Sequence, residues 1–169
     1  QWNTSIGVGK AIPETVRKAF KVAEMERPGA THLELPEDVA KQEVDGKPFP
    51  KTYVRRPAGD EKAIAHAIKM IKAAKHPIIL AGNGCIRTRV SKQLNEFVEA
   101  LGIPVTHTQM GKGAISDKSK YSLFTTGIHA RDYYFCAFEK ADLIITLGYD
   151  IVEFPPANWN PNKAKKILH

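Results

Sequence analysis

The chain has 169 residues, 43% of them apolar and 25% charged, with a net charge of +7. That is enough for one globular domain with a sizeable core, or one domain with a piece of another. No apolar run approaches the ~20 residues of a membrane span, and no signal peptide is visible. The only cysteines, Cys85 and Cys136, lack metal-type spacing, which reads as an intracellular, cytoplasmic and reduced protein. The basic residues are scattered rather than drawn into a stripe with interleaved aromatics, so no nucleic-acid partner is expected.

The pattern Val16, Ala19, Phe20, Ala23 predicts a helix over 13–25, with Pro13 suited to its first position. Residues 31–36 alternate and read as a strand. Residues 41–60 hold three prolines and two glycines among charges, and read as a linker. Asp60 then suits the N-cap of a helix whose apolar face is Ile64, Ala67, Ile68 and Ile71.

Ile78–Ala81 is apolar on both faces, as a parallel strand covered by helices on each side would be. It runs into the turn Gly82-Asn83-Gly84-Cys85. A second helix is predicted over 89–101, with Val90, Leu94, Phe97, Val98 and Leu101 as its stripe and Gly102 as its C′ residue. A strand at 103–106, a glycine turn at 111–113 and a polar stretch to Gly127 follow. A helix over 131–140, packing Tyr134, Phe138 and Ala141, leads to the strand 143–147. A Pro- and Asn-rich loop over 149–161 and a last strand from 166 complete the chain. Strands separated by more than ten residues imply parallel crossovers, hence an α/β fold with a parallel sheet and helices on both faces.

Little in this pattern names a reaction. Gly82-Asn83-Gly84 is a G-x-G, but Arg87 stands where a dinucleotide fingerprint has its third glycine. The turn reads equally as a phosphate-approaching loop or as a tight strand-to-helix turn that needs small residues. His107 has no carboxylate or serine partner visible in sequence and reads as a hydrogen-bonded loop residue. Cys85 reads as a small buried residue. His129, Arg131 and Asp132 cluster at a predicted helix start, and Asp150 suits either a ribose hydroxyl or a turn cap.

Several segments together resemble the acetolactate synthase large subunit, a thiamine diphosphate enzyme family. Residues 28–39, PGATHLELPEDV, look like the last strand of its N-terminal, pyrimidine-binding domain. Residues 77–85, 102–105, 110–114 and 141–144, with Tyr149-Asp150-Ile151-Val152-Glu153-Phe154 and Trp159-Asn160, look like its Rossmann-like central domain. The resemblance implies residues 1–40 as the tail of the pyrimidine-binding domain, 41–60 as a linker and 61–169 as an incomplete central domain. Gln1 at the start, and a strand in progress at Lys166–His169, agree with a piece of a longer polypeptide.

The family condenses two pyruvates to 2-acetolactate and carbon dioxide, using thiamine diphosphate and a divalent metal such as Mg²⁺. By this resemblance both cofactors bind outside residues 1–169, no catalytic or metal residue lies within the chain, and the chain alone is inactive. The expected partners are the missing N- and C-terminal domains and, for the whole protein, further copies of itself. Whether such an enzyme would serve valine and isoleucine synthesis or fermentation stays open. So do another thiamine-dependent decarboxylase and a stand-alone nucleotide-binding domain.

The positions matching the family's flavin contacts are Arg55, Gly82, Gly84, Thr108, Gln109, Met110 and His129. The family pattern after the third strand carries two arginines. This chain has none there, and Asp150 places a negative charge instead. At about 4 Å and an effective dielectric of about 20 one charge contact is worth about 4 kcal/mol, so reversing its sign matters. No tight FAD binding is therefore expected, as in the flavin-independent branch.

Overall fold

The computed structural model describes residues 1–54, 58–128 and 135–169. They form two compact units, Gln1–Ala58 and Gly59–His169.

In the first unit, β1 (Trp2–Ser5) pairs in parallel with β2 (Thr31–Glu34). Helix α1 (Ile12–Glu24) connects them, with a proline in its first turn, and a short α2 (Glu37–Ala40) follows β2. The Thr31 hydroxyl donates to the Ala19 carbonyl at 3.3 Å. Residues of the expected linker fold back along α1. The Arg17 guanidinium lies 4.9 Å over the Phe49 ring, and Lys51 pairs with Glu24 at 2.8 Å. Ala19 is the buried residue of the predicted stripe, whereas Phe20 is largely exposed.

The second unit is a five-stranded parallel sheet in the order β5-β4-β3-β6-β7. Its strands are β3 (Pro77–Ala81), β4 (Val105–His107), β5 (Ser122–Thr125), β6 (Leu143–Leu147) and β7 (Lys166–Leu168). Successive side chains on a strand point to opposite faces, and the core divides accordingly. Ile79, Ala81, Val105, Leu143 and Ile145 pack with Leu94 and Val98 of α5 (Ser91–Leu101). Ile78, Leu80 and Ile144 pack on the other face with Phe138 of α6 (Phe135–Lys140) and Trp159 of α7 (Pro156–Trp159). Helices on both faces explain why β3 is apolar throughout and β6 is apolar except at Thr146.

Helix α3 (Glu61–Ala73) starts where expected, its Asp60 cap accepting the Ala63 N–H at 2.8 Å. Its contact face is a correction to the sequence reading. Met70, Ile71 and Ala74 reach the core, while Ile64 is 51% and Ile68 47% exposed. Periodicity gives the direction of a helix face but not how far along the helix that face meets the sheet. Gly102 ends α5 in the left-handed conformation at φ +67°. The expected helix start and Tyr134 fall in 129–134, outside the described residues.

One side chain ties the start of β6 to the turn before β3. The Asp142 carboxylate accepts the backbone N–H groups of Lys75 at 2.7 Å and His76 at 2.9 Å. These donors hold its carboxyl below its ordinary 3.8. Folding thus favours the ionised form. The contribution is complete above the ordinary value and is lost as pH falls through the lower folded value. Asp142→Asn should lower the urea midpoint near neutrality. The gap from the wild-type chain should narrow below pH 3.8; a gap that stays constant in acid would refute the assignment.

Candidate functional site

The sheet order places the topological switch at β3 and β6: the chain steps from β3 to β4 and β5 on one side, then returns to β6 and β7 on the other. Ligands of open α/β sheets bind outside the strand ends at such a switch. Three loops meet there: Gly82–Cys85 after β3, Thr108–Gly113 after β4, and Gly148–Phe154 after β6.

The first and third loops touch through their backbones. Gly82 donates to the Leu147 carbonyl at 2.8 Å and Gly84 to the Gly148 carbonyl at 2.7 Å. A Cβ on Gly82 would lie 2.5 Å from the Tyr149 Cα, and one on Gly84 would lie 2.5 Å from the Gly148 Cα. Both glycines are thus required by the approach of the two loops. Asn83, between them, opens the one-turn helix α4 (Asn83–Arg87). Its N–H points at the Glu153 carboxylate, 3.0 Å from Oε2 and 3.2 Å from Oε1.

The β4 loop supplies the other contact to that carboxylate. Thr108 is fully buried; its hydroxyl donates to Glu153 Oε2 at 2.5 Å and accepts the Gly111 N–H at 3.0 Å. Gln109 and Met110 are exposed on the same loop, so of the expected flavin-contact set Gly82, Gly84 and Thr108 converge while these two side chains face outward. Arg55 and His129 lie outside the described residues.

Glu153 is held by its neighbours. The Asp150 carboxylate accepts the Val152 N–H, and Glu153 N–H donates to the Asp150 carbonyl at 3.0 Å. Phe154 is buried, and its carbonyl accepts both the Tyr149 hydroxyl at 2.5 Å and the Trp159 Nε1–H at 3.1 Å. Burial pushes the Tyr149 hydroxyl up from its ordinary value, with the nearby carboxylates adding to the effect.

His107, at the end of β4, is fully buried. Its Nδ1 lies 3.1 Å from the Thr108 carbonyl, and its Nε2 lies 3.5 Å from Asp117 Oδ1. The Asp117 carboxylate, ten residues downstream, is thus brought near the ring, although Nε2 makes no hydrogen bond among the described residues. Cys85 donates its thiol to the Leu147 carbonyl at 3.2 Å, and burial pushes that thiol up, so it stays protonated and packs. Among the described residues, no three His, Cys, Asp or Glu side chains gather, so none is assigned to a metal.

The family model described as the thiamine pyrophosphate enzyme central domain matches residues 64–169. The chain belongs to this family. Its sheet is therefore the sheet of a thiamine pyrophosphate enzyme's central domain. Among relatives, the chain is 38% identical to the "Probable acetolactate synthase large subunit" of Methanococcus aeolicus, over 81% of this chain and 24% of that protein. It is 35% identical to the protein of the same name from Methanocaldococcus jannaschii, over 86% of this chain and 26% of the relative. The acetolactate synthase of Bacillus subtilis is 30% identical over 95% of this chain and 28% of its own length. The chain thus spans about a quarter of the relatives it matches. A solved thiamin diphosphate-dependent enzyme from Mycobacterium smegmatis superposes with a TM-score of 0.82 at 22% identity, covering 99% of this chain and 33% of that one. At that identity the likeness speaks for the fold alone.

Proposed function

We propose that the chain is the central part of a longer acetolactate synthase-like transferase that joins two pyruvates into 2-acetolactate with release of carbon dioxide. The observation that carries this reading is the extent of the likeness: relatives named acetolactate synthase align over 81–95% of this chain. Residues 1–40 would end the pyrimidine-binding domain, and the second unit would space the two cofactor-holding domains and shape the channel between them. Thiamine diphosphate would supply the carbanion chemistry. It and Mg²⁺ would be held by residues outside this chain. The whole enzyme would act in the cytoplasm as a homo-oligomer. The loop after β6, with Asp150 where the family's flavin-binding branch carries a positive charge, supports a flavin-independent enzyme.

The test is acetolactate formation from pyruvate with thiamine diphosphate and Mg²⁺. The longer protein should turn over, and the 169-residue chain alone should not. A longer protein that decarboxylates glyoxylate, oxalyl-CoA or benzoylformate while leaving pyruvate untouched would replace this reading with another thiamine-dependent decarboxylase.

A further inference from the structure

The crevice at the strand ends is filled by an anion that belongs to the chain itself. A backbone N–H from the β3 loop and a hydroxyl from the β4 loop converge on the Glu153 carboxylate, which enters from the β6 loop. Charge-assisted contacts of this kind are the strong ones among hydrogen bonds. The other amides of the glycine turn are already taken: Gly82 by Leu147, Gly84 by Gly148 and Cys85 by Gly82. A phosphate arriving here would find no free turn amide and would face a carboxylate where its own oxygens should sit.

We propose that Glu153 is the residue that decides what the crevice admits: its carboxylate excludes ligands that carry a diphosphate, including flavin and adenine nucleotides. It acts as a specificity residue rather than a catalytic one. Its place is set by the buried Phe154 next to it, whose carbonyl is clamped by Tyr149 and Trp159. The aromatic cluster of Phe138, Tyr149, Phe154 and Trp159 thus fixes the backbone beside Glu153, and the Asn83 N–H and Thr108 hydroxyl hold its carboxylate in the crevice. The inference goes beyond the reaction proposed above, because it concerns only what the crevice admits.

Calorimetric titration with ADP and with FAD tests it on the wild-type chain, Glu153→Ala and Glu153→Gln. The alanine variant removes both charge and bulk. The glutamine variant keeps the shape and removes only the charge, so it carries the comparison if the alanine variant does not fold. The wild-type chain should bind neither probe measurably. Removing the charge should bring binding of both into the measurable range, about tenfold or more tighter than the limit set by the wild-type chain, since two anions no longer share one cradle. Equal affinity in all three chains, or binding by none, would show that Glu153 is not what closes the crevice. Tight binding by the wild-type chain would likewise overturn the inference and would leave acetolactate formation by the longer protein to be judged separately.

Discussion

Replacing Gly148 by valine is expected to unfold the second unit. Gly148 sits at φ +54°, a conformation that costs an L-residue roughly 1–2 kcal/mol and a β-branched one more. Its Cβ would lie 2.5 Å from the Cys85 nitrogen and 2.7 Å from the Gly84 Cα. Both neighbours are backbone atoms, so no flexible side chain can yield. The β3 and β6 loops must part, which breaks the 2.7 Å bond from Gly84 to the Gly148 carbonyl. Overpacking adds about 1–3 kcal/mol, and the lost bond about 1 kcal/mol. A total near 3–6 kcal/mol is comparable with the whole stability of an ordinary domain. Thermal melts read it directly. A Gly148→Val chain that melts within a few degrees of wild type would mean that the two loops are not in contact.

The second large effect is Leu94→Asp. Leu94 is 4% exposed and packs from α5 onto Ile79, Val98, Val105 and Ile145. Truncating such a leucine costs about 2–5 kcal/mol. Aspartate adds the desolvation of a carboxylate among aliphatic side chains with no partner. The expected loss is at least about 4 kcal/mol, read as a collapsed urea midpoint. Lys92, two residues earlier, is the control. Its side chain is 85% exposed and its ammonium stands 3.9 Å from Glu96, so Lys92→Asp should cost at most about 1 kcal/mol. Equal losses at the two positions would mean that α5 does not present Leu94 to the sheet.

These two substitutions differ in how far their causes were readable in advance. Leu94 falls on a helical stripe that the sequence displays, and the structure places it and Val98 in the core. The requirement at Gly148 comes from a loop more than sixty positions away. No local pattern announces it, because glycine serves turns and close approaches alike. Strand β5 escaped the sequence reading for a related reason. It is four residues long, mostly half-exposed or polar, and slips register against β4 so that Ser122–Thr125 spans what Val105–His107 spans. A short bulged edge strand has neither an apolar run nor clean alternation to reveal it. Strand β1 is equally short and half-exposed.

The sequence by itself determined the α/β class, the positions of the main helices and central strands, and the likeness to thiamine-dependent enzymes. Each of those rests on local periodicity or on contiguous motifs. The tertiary structure alone decided what the glycine turn is for. Gly82 and Gly84 are pressed against Gly148, and Asn83 and Thr108 are satisfied by Glu153. That outcome depends on β6 lying beside β3 and on an aromatic cluster that fixes the loop after β6. Backbone contacts between segments distant in sequence leave no periodic trace in either, so only the folded chain could show them.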